Sequence, residues 1–124
     1  MTDTARAGTA GAVHRLEDMV GGWFVGAFEP TLLPSDDVEV AVKRYPAGAT
    51  EAAHVHLLAV ELTVILDGRA RMAGRELAAG DILVLPAGTP TSFEALEACT
   101  TVVVKSPSVP GDKYPAEQGQ GGPP

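Results

Sequence analysis

Between residues 38 and 105, apolar and polar residues alternate in short stretches that glycine and proline separate. Val38, Val40 and Val42 recur at every second position, which is the period of a β-strand. The same pattern predicts strands over 60–66, 69–72, 75–77, 82–85, 91–93 and 100–105. No stretch after residue 35 keeps a helical period. The sequence therefore predicts an all-β fold, a barrel or jelly roll built from antiparallel hairpins.

Two dipeptides mark sharp turns within this pattern. Asp67-Gly68 is the strongest hairpin signal, and it predicts that strands 60–66 and 69–72 pair with each other. Ala73-Gly74 predicts a second hairpin. Before the strands, residues 13–19 suit either a short helix or an edge strand, and an apolar front strand follows at 23–28.

The length and the ends of the chain define one domain. A chain of 124 residues can build one core but not two. We expect a disordered N-terminal arm over 1–12, where small and polar residues dominate, and a single barrel domain over 13–105. The segment 106–124 is rich in proline and glycine, which predicts a largely disordered tail. Val109 and Tyr114 are the residues that would attach its first part to the barrel.

Charge and cysteine usage restrict the partners. The net charge of −7 excludes nucleic acids and anionic membranes, which require a basic surface. No apolar run approaches the roughly 20 residues of a membrane helix, and the N-terminus lacks a signal-peptide core. Cys99 is the single cysteine, so no intrachain disulfide can form. We expect a cytoplasmic protein with a small-molecule substrate or ligand.

Candidate chemistry concentrates in three residues. His54 and His56 lie two positions apart, so on an extended chain both rings point to one side. Glu61 follows after a short turn and can return beside them on a neighbouring strand. Two imidazoles and a carboxylate form the ligand set of an open site for a divalent transition metal. A metal-free alternative is that the three side chains only hydrogen-bond one another inside the barrel.

These residues stand in a pattern that resembles the cupin superfamily, over roughly residues 38–105. The first cupin motif is a glycine, a His-x-His pair, a glutamate and a closing glycine, matched here by Gly48, His54, His56, Glu61 and Gly68. The second motif is matched only at Gly80, Pro86 and Gly88, because Thr91 stands where the family has a histidine. The resemblance implies a double-stranded β-helix barrel, usually dimeric, with a metal inside its mouth.

The threonine at position 91 changes the expected metal site. A complete cupin site has three imidazoles and one carboxylate, whereas His54, His56 and Glu61 alone have the composition of the facial triad of non-haem Fe(II) oxygenases. We therefore favour Fe(II), with Mn, Ni, Zn and Cu as alternatives. We also expect weaker metal retention, because a threonine hydroxyl is a poor ligand for a divalent ion.

Strand parity suggests which other residues surround this site. Thr91 and Phe93 share one face of their strand, and we predict that both line the pocket. Arg44 and Tyr45 point to opposite faces of the strand 38–45, and the sequence alone keeps both as candidates. Trp23 in the apolar front strand is predicted to pack against a partner subunit in a homodimer.

Three functions follow from this site. The first is a metal-dependent enzyme, of dioxygenase or isomerase type, that acts on a small oxygenated or carboxylate metabolite. In it His54, His56 and Glu61 hold the metal and form the catalytic site. The second is a non-catalytic module that binds a metal or small ligand, which the threonine at position 91 favours. The third is a metal-free isomerase or epimerase with His54 or His56 as general base.

Overall fold

The computed structural model describes residues 11–116. They form a single turn of 3-10 helix, Leu16–Asp18, and ten β-strands. In chain order the strands are β1 (Trp23–Val25), β2 (Glu39–Tyr45), β3 (Thr50–Val55), β4 (Val60–Asp67), β5 (Arg69–Met72), β6 (Arg75–Ala78), β7 (Ile82–Leu85), β8 (Thr91–Ala95), β9 (Cys99–Ser106) and β10 (Tyr114–Pro115). In this part of the chain, no helix is long and apolar enough to cross a membrane.

The strands form two five-stranded sheets whose strand pairs are antiparallel. Sheet A has the order β1-β2-β9-β4-β7, and sheet B has the order β10-β3-β8-β5-β6. Neighbours in both sheets are often far apart in sequence, as in the pairing of β2 with β9. The predicted all-β jelly roll is confirmed. The front segment 13–19, predicted to be a short helix or an edge strand, contains a single turn of 3-10 helix.

The core fills one end of the space between the two sheets. Ile65 and Leu83 of sheet A pack with Met72 and Phe93 of sheet B in one buried cluster. Each occupies an inward position of its strand, as period-two alternation requires. Burial of a side chain the size of Ile65 stabilises the fold by about 1.5–3 kcal/mol. At the other end, the inward positions of β4 and β8 are polar and hold Glu61, Thr63 and Thr91.

Asp67-Gly68 does not form the predicted hairpin. β4 pairs with β7 and β9 in sheet A, whereas β5 pairs with β6 and β8 in sheet B. Gly68, at φ +78°, therefore carries the chain from one sheet to the other. A Cβ atom at this position would lie 2.1 Å from the carbonyl oxygen of Ala98, so glycine is required by a close backbone approach as well as by its φ. The second predicted hairpin, at Ala73-Gly74, is confirmed.

Gly68→Ala is expected to destabilise the protein by at least about 2 kcal/mol more than Gly74→Ala. Both glycines have positive φ, so alanine costs about 1–2 kcal/mol at either position. Only at Gly68 must the backbone of Ala98 also move, because nothing lies within 4 Å of the Cβ position of Gly74. Urea unfolding of the two variants measures the difference. Equal losses of unfolding free energy would contradict the role of this corner.

The barrel extends past its predicted limit at residue 105. Ser108 and Asp112 are buried, and Tyr114 pairs with Val55 at the edge of sheet B. The segment 106–116 lies against the barrel, and several of its polar groups hydrogen-bond to it. The Ser108 hydroxyl, for example, donates to Glu39 over 2.7 Å. The remaining predicted disorder, over residues 1–10 and 117–124, lies outside the described residues.

Candidate metal centre

The three predicted ligands come together at the polar end of the barrel. His54 lies near the end of β3 in sheet B, His56 follows that strand, and Glu61 lies near the start of β4 in sheet A. The sequence suggested that the strands carrying the ligands are neighbours in one sheet. Instead, β3 and β4 belong to the two facing sheets. One donor atom from each residue lies within 4.8 Å of the other two. The turn between the strands thus brings the ligands together across the barrel.

The hydrogen bonds of His56 orient its ring for a ligand role. Its Nδ1 lies within hydrogen-bonding distance of the main-chain carbonyl of Asp112. Because a carbonyl only accepts, Nδ1 carries the proton and donates it. The Nε2 atom then faces Glu61 Oε1 at 3.2 Å. Two acceptors at this distance require a proton or a cation between them, so the geometry suits a shared metal ion.

His54 and Glu61 are prepared in the same manner. His54 Nδ1 donates to the carbonyl of Ala52 over 3.1 Å, which leaves Nε2 unprotonated when the ring is neutral. Burial lowers the pKa of His54 and so favours this neutral form. Burial alone would raise the pKa of Glu61, but the neighbouring His56 ring and a hydrogen bond from the Thr63 hydroxyl hold it below its usual range. Glu61 is therefore a carboxylate.

The dimensions of the cluster fit a divalent transition metal. Ligand atoms about 2.1 Å from such an ion lie roughly 3–3.5 Å from one another. The separation of His56 and Glu61, 3.2 Å, already has this value. The widest separation within the cluster, up to 4.8 Å, requires only a small inward movement of one side chain. Each histidine also donates a hydrogen bond from Nδ1 to a main-chain carbonyl, which is the usual arrangement for metal-bound imidazoles.

Thr91 occupies the position next to these ligands without joining them. It is the register partner of His54 across β3 and β8 and is 6% exposed. Its hydroxyl donates to the carbonyl of Ser92 over 3.1 Å. The position that a third histidine would fill is therefore open to the cavity.

A cavity of about 290 Å³ leads from the cluster to the surface. Thr91, Phe93 and Tyr45 line it, and the rings of Tyr45 and Phe93 stack with centroids 4.2 Å apart. Arg44 does not line it, because inward positions on β2 are the odd-numbered ones and Arg44 is exposed on the outer face. This volume suits a small metabolite.

Trp23 also lines the cavity, although it was predicted to pack in a dimer interface. Its ring meets Phe28 edge to face, with centroids 6.3 Å apart. The ammonium groups of Lys43 and Lys105 lie 5.4 and 4.8 Å from the Trp23 ring centroid. The front strand thus forms part of the cavity wall.

Sequence reasoning missed Asp112, which braces the loop between the ligands. Its carboxylate accepts hydrogen bonds from the main-chain N–H groups of Leu57, Leu58 and Ala59 over 2.9–3.2 Å. Its main-chain carbonyl accepts from His56. No local sequence signal marks this residue, because its partners lie 53 to 56 positions earlier in the chain.

The comparisons with known proteins support the fold. No protein-family model matches the chain, and no curated protein matches it. Among solved structures, a protein with a double-stranded β-helix domain from Klebsiella pneumoniae is 26% identical over 70% of this chain and 81% of its own, with a TM-score of 0.62.

Two enzymes also share the fold. The DMSP lyase DddQ from Ruegeria pomeroyi is 25% identical over 76% of this chain and 51% of its own, with a TM-score of 0.62. The oxalate decarboxylase of Bacillus subtilis, which has Mn(II) centres, is 24% identical over 65% of this chain and 24% of its own, with a TM-score of 0.56. The chain spans about half of the lyase and a quarter of the decarboxylase.

The two facing sheets and these similarities define the class of protein. The chain has the double-stranded β-helix fold of the cupin superfamily. Within it, His54, His56 and Glu61 form a cluster that could hold a metal ion.

Proposed function

We propose that this chain is a metal-dependent enzyme that acts on a small oxygenated or carboxylate metabolite. The observation that carries the proposal is the convergence of His54, His56 and Glu61 on one buried point at the end of a cavity. Similarity to a lyase and a decarboxylase of the same fold supports an enzymatic role. The Mn(II) centres of the decarboxylase support a divalent metal, and Fe(II) is our first choice because the ligand set is a facial triad.

The protein's own groups would perform the following roles. His54 and His56 supply neutral nitrogen ligands, and Glu61 supplies the negative charge that balances the ion. Bound there, a divalent ion acts as a Lewis acid, and Fe(II) can also activate O2. Thr91, which is small, leaves room for two substrate atoms beside the ligands. The stacked rings of Tyr45 and Phe93 exclude water from the inner wall of the cavity.

Anaerobic reconstitution with Fe(II) tests the proposal. The wild-type protein is expected to retain about one ion per chain after desalting, and a chelator is expected to remove it. The double variant His54→Ala/His56→Ala should retain none, whereas His14→Ala, which changes the exposed third histidine, should match wild type. Reconstituted protein is then screened for turnover of oxygenated and carboxylate metabolites. Equal metal content in wild type and double variant would refute the proposal.

A non-catalytic binding module is the second candidate. The observation in its favour is Thr91, whose hydroxyl is directed to Ser92 and leaves the site one ligand short of a complete cupin set. A thermal-shift screen of metabolites on the metal-loaded protein separates the two candidates. Stabilisation by a compound that is recovered unchanged after incubation favours the binding module, whereas its conversion favours the enzyme.

We also propose a homodimer, formed through the outer face of sheet A. Outward residues of β4 and β7 present a continuous aliphatic, uncharged surface there, and Val60, Leu66, Ile82 and Val84 are each more than 40% exposed. An uncharged face can pair with its own copy without charge repulsion. Size-exclusion chromatography with light scattering measures the mass of the protein in solution. Val84→Glu places a charge on the proposed interface and should convert the dimer to a monomer.

A further inference from the structure

The cavity wall carries three lysines in different electrostatic settings. Lys105 is neutralised, since its Nζ lies 3.0 Å from a carboxylate oxygen of Glu39. Lys113 is exposed at the cavity mouth, where solvent screens its charge. Lys43 forms only a long ion pair and is not freely solvated. Its side chain is 23% exposed, and its closest carboxylate oxygen, on Glu51, is 4.0 Å away, which is beyond hydrogen-bonding distance.

The surroundings of Lys43 leave its ammonium group available to a ligand. The Glu51 oxygen that faces it already accepts a 2.9 Å hydrogen bond from the Tyr45 hydroxyl. The partly buried ammonium has lost some of its solvation, which also lowers the pKa of Lys43. Thr101, the register partner of Lys43 on β9, lines the same cavity, and its buried hydroxyl has no hydrogen-bond partner within residues 11–116. Buried polar groups without partners point to a ligand.

The charges inside the cavity specify what ligand would fit. The inner wall holds two lysines and three glutamates, namely Lys43, Lys105, Glu39, Glu51 and Glu61. Their net charge is −1, and a divalent ion at the proposed metal centre would change it to +1. Asp112 and Lys113 cancel each other, and Glu29 is exposed at the mouth. One monoanion therefore balances the charge, whereas a phosphate dianion would leave an excess negative charge.

We propose that Lys43 binds the carboxylate group of a small monocarboxylate substrate, on the wall of the cavity that faces Trp23. The rest of the substrate then lies between this anchor and the metal centre. That the bound carboxylate is a substrate, and not only a ligand, rests on the proposed function. It adds a specificity-determining residue and a carboxylate position that is separate from the metal ligands.

Calorimetric titration of the full-length, zinc-loaded protein with butyrate tests the proposal, with the neutral butyramide as the matched ligand. Butyrate is expected to bind at least about tenfold more tightly than butyramide, which is the effect of one charge-assisted hydrogen bond. Lys43→Met should weaken butyrate binding by about tenfold or more, and Lys43→Arg should retain most of it. Arg44→Met is the control, because it removes the same charge from the outer face of the same strand.

Trp23, the single tryptophan, gives an independent signal beside Lys43. Its emission should change with butyrate in the wild-type protein and in Arg44→Met, but not in Lys43→Met. Equal butyrate affinity of Lys43→Met and wild type, or equal affinity for butyramide, would overturn the proposal. Displacement of butyrate by phosphate at equal concentration would overturn the choice of a carboxylate.

Metal uptake is measured first, so that the two proposals can fail separately. If zinc binds and butyrate binding does not depend on Lys43, the anchor is refuted and the metal centre stands. If zinc does not bind, the proposed function fails, and the same titration on the metal-free protein decides the anchor. If the metal-free wild-type protein binds butyrate and Lys43→Met does not, the carboxylate anchor is supported. If the metal-free wild-type protein shows no butyrate binding that depends on Lys43, the anchor is overturned.

Discussion

Replacing His56 with alanine is expected to lower the affinity for a divalent transition metal by more than about 100-fold. Loss of an outer partner of a metal ligand already costs about 10–100-fold, and His56 is itself a ligand in the proposed site. With Thr91 in place of a third histidine, only His54 and Glu61 would remain. Competition with a fluorescent zinc chelator measures the affinity, and elemental analysis measures the stoichiometry.

Two matched controls accompany this variant. His14→Ala removes a histidine that is exposed and distant in sequence, so metal affinity should not change. Thr91→Ala removes a hydroxyl that is directed to Ser92 and should leave metal affinity within about threefold, because no ligand is lost. A His56→Ala protein that binds zinc as tightly as wild type would contradict the proposed ligand set.

Asp112→Ala is expected to lower the free energy of unfolding by about 4 kcal/mol. The carboxylate accepts hydrogen bonds from three successive main-chain N–H groups, Leu57 to Ala59. Hydrogen bonds to a charged group contribute about 1.5–3 kcal/mol each, and the N–H groups would lose their partner. For a domain of this size the melting temperature should fall by about 10–15 °C. Asp37→Ala, an exposed aspartate, is the control and should change little.

The contribution of Asp112 should also depend on pH. Burial alone would raise the pKa of Asp112, but hydrogen bonds from Leu57, Ala59 and Leu58 hold it below its ordinary value. A carboxyl group whose folded-state pKa is depressed stabilises the fold above its unfolded pKa of about 3.9 and loses that contribution as the pH falls through the folded value. The difference in unfolding free energy between wild type and Asp112→Ala should therefore shrink below about pH 4. A difference that stays constant to lower pH would contradict this origin.

Local patterns in the sequence were sufficient to predict most strands and the grouping of His54, His56 and Glu61. In β2, β4 and β9, apolar and polar residues alternate because alternate side chains face the core. His54, His56 and Glu61 lie within eight positions of one another, so their grouping is a local property of the sequence. By contrast, β3 was not marked as a strand, because Thr50–Val55 is rich in alanine and lacks β-branched alternation.

Features that depend on distant contacts were not predictable from the sequence. Asp67-Gly68 has the composition of a hairpin, but its conformation is set by the approach of Ala98 about thirty positions later. Asp112 is 56 positions from His56, and no residue pattern near Asp112 predicts that contact. Arg44 and Tyr45 could not be separated, because both faces of a barrel strand tolerate polar residues until the position of the cavity is known.

The hydrogen bond between the ring of His56 and the carbonyl of Asp112 joins the cluster of His54, His56 and Glu61 to the last described segment of the chain. If a metal ion binds to this cluster as proposed, ion binding and attachment of that segment should favour each other by equal amounts, because linkage is reciprocal. Scarcity of the ion in the cell would leave the segment detached for more of the time. Cellular proteases would then degrade the protein faster, so its abundance would follow the supply of the metal.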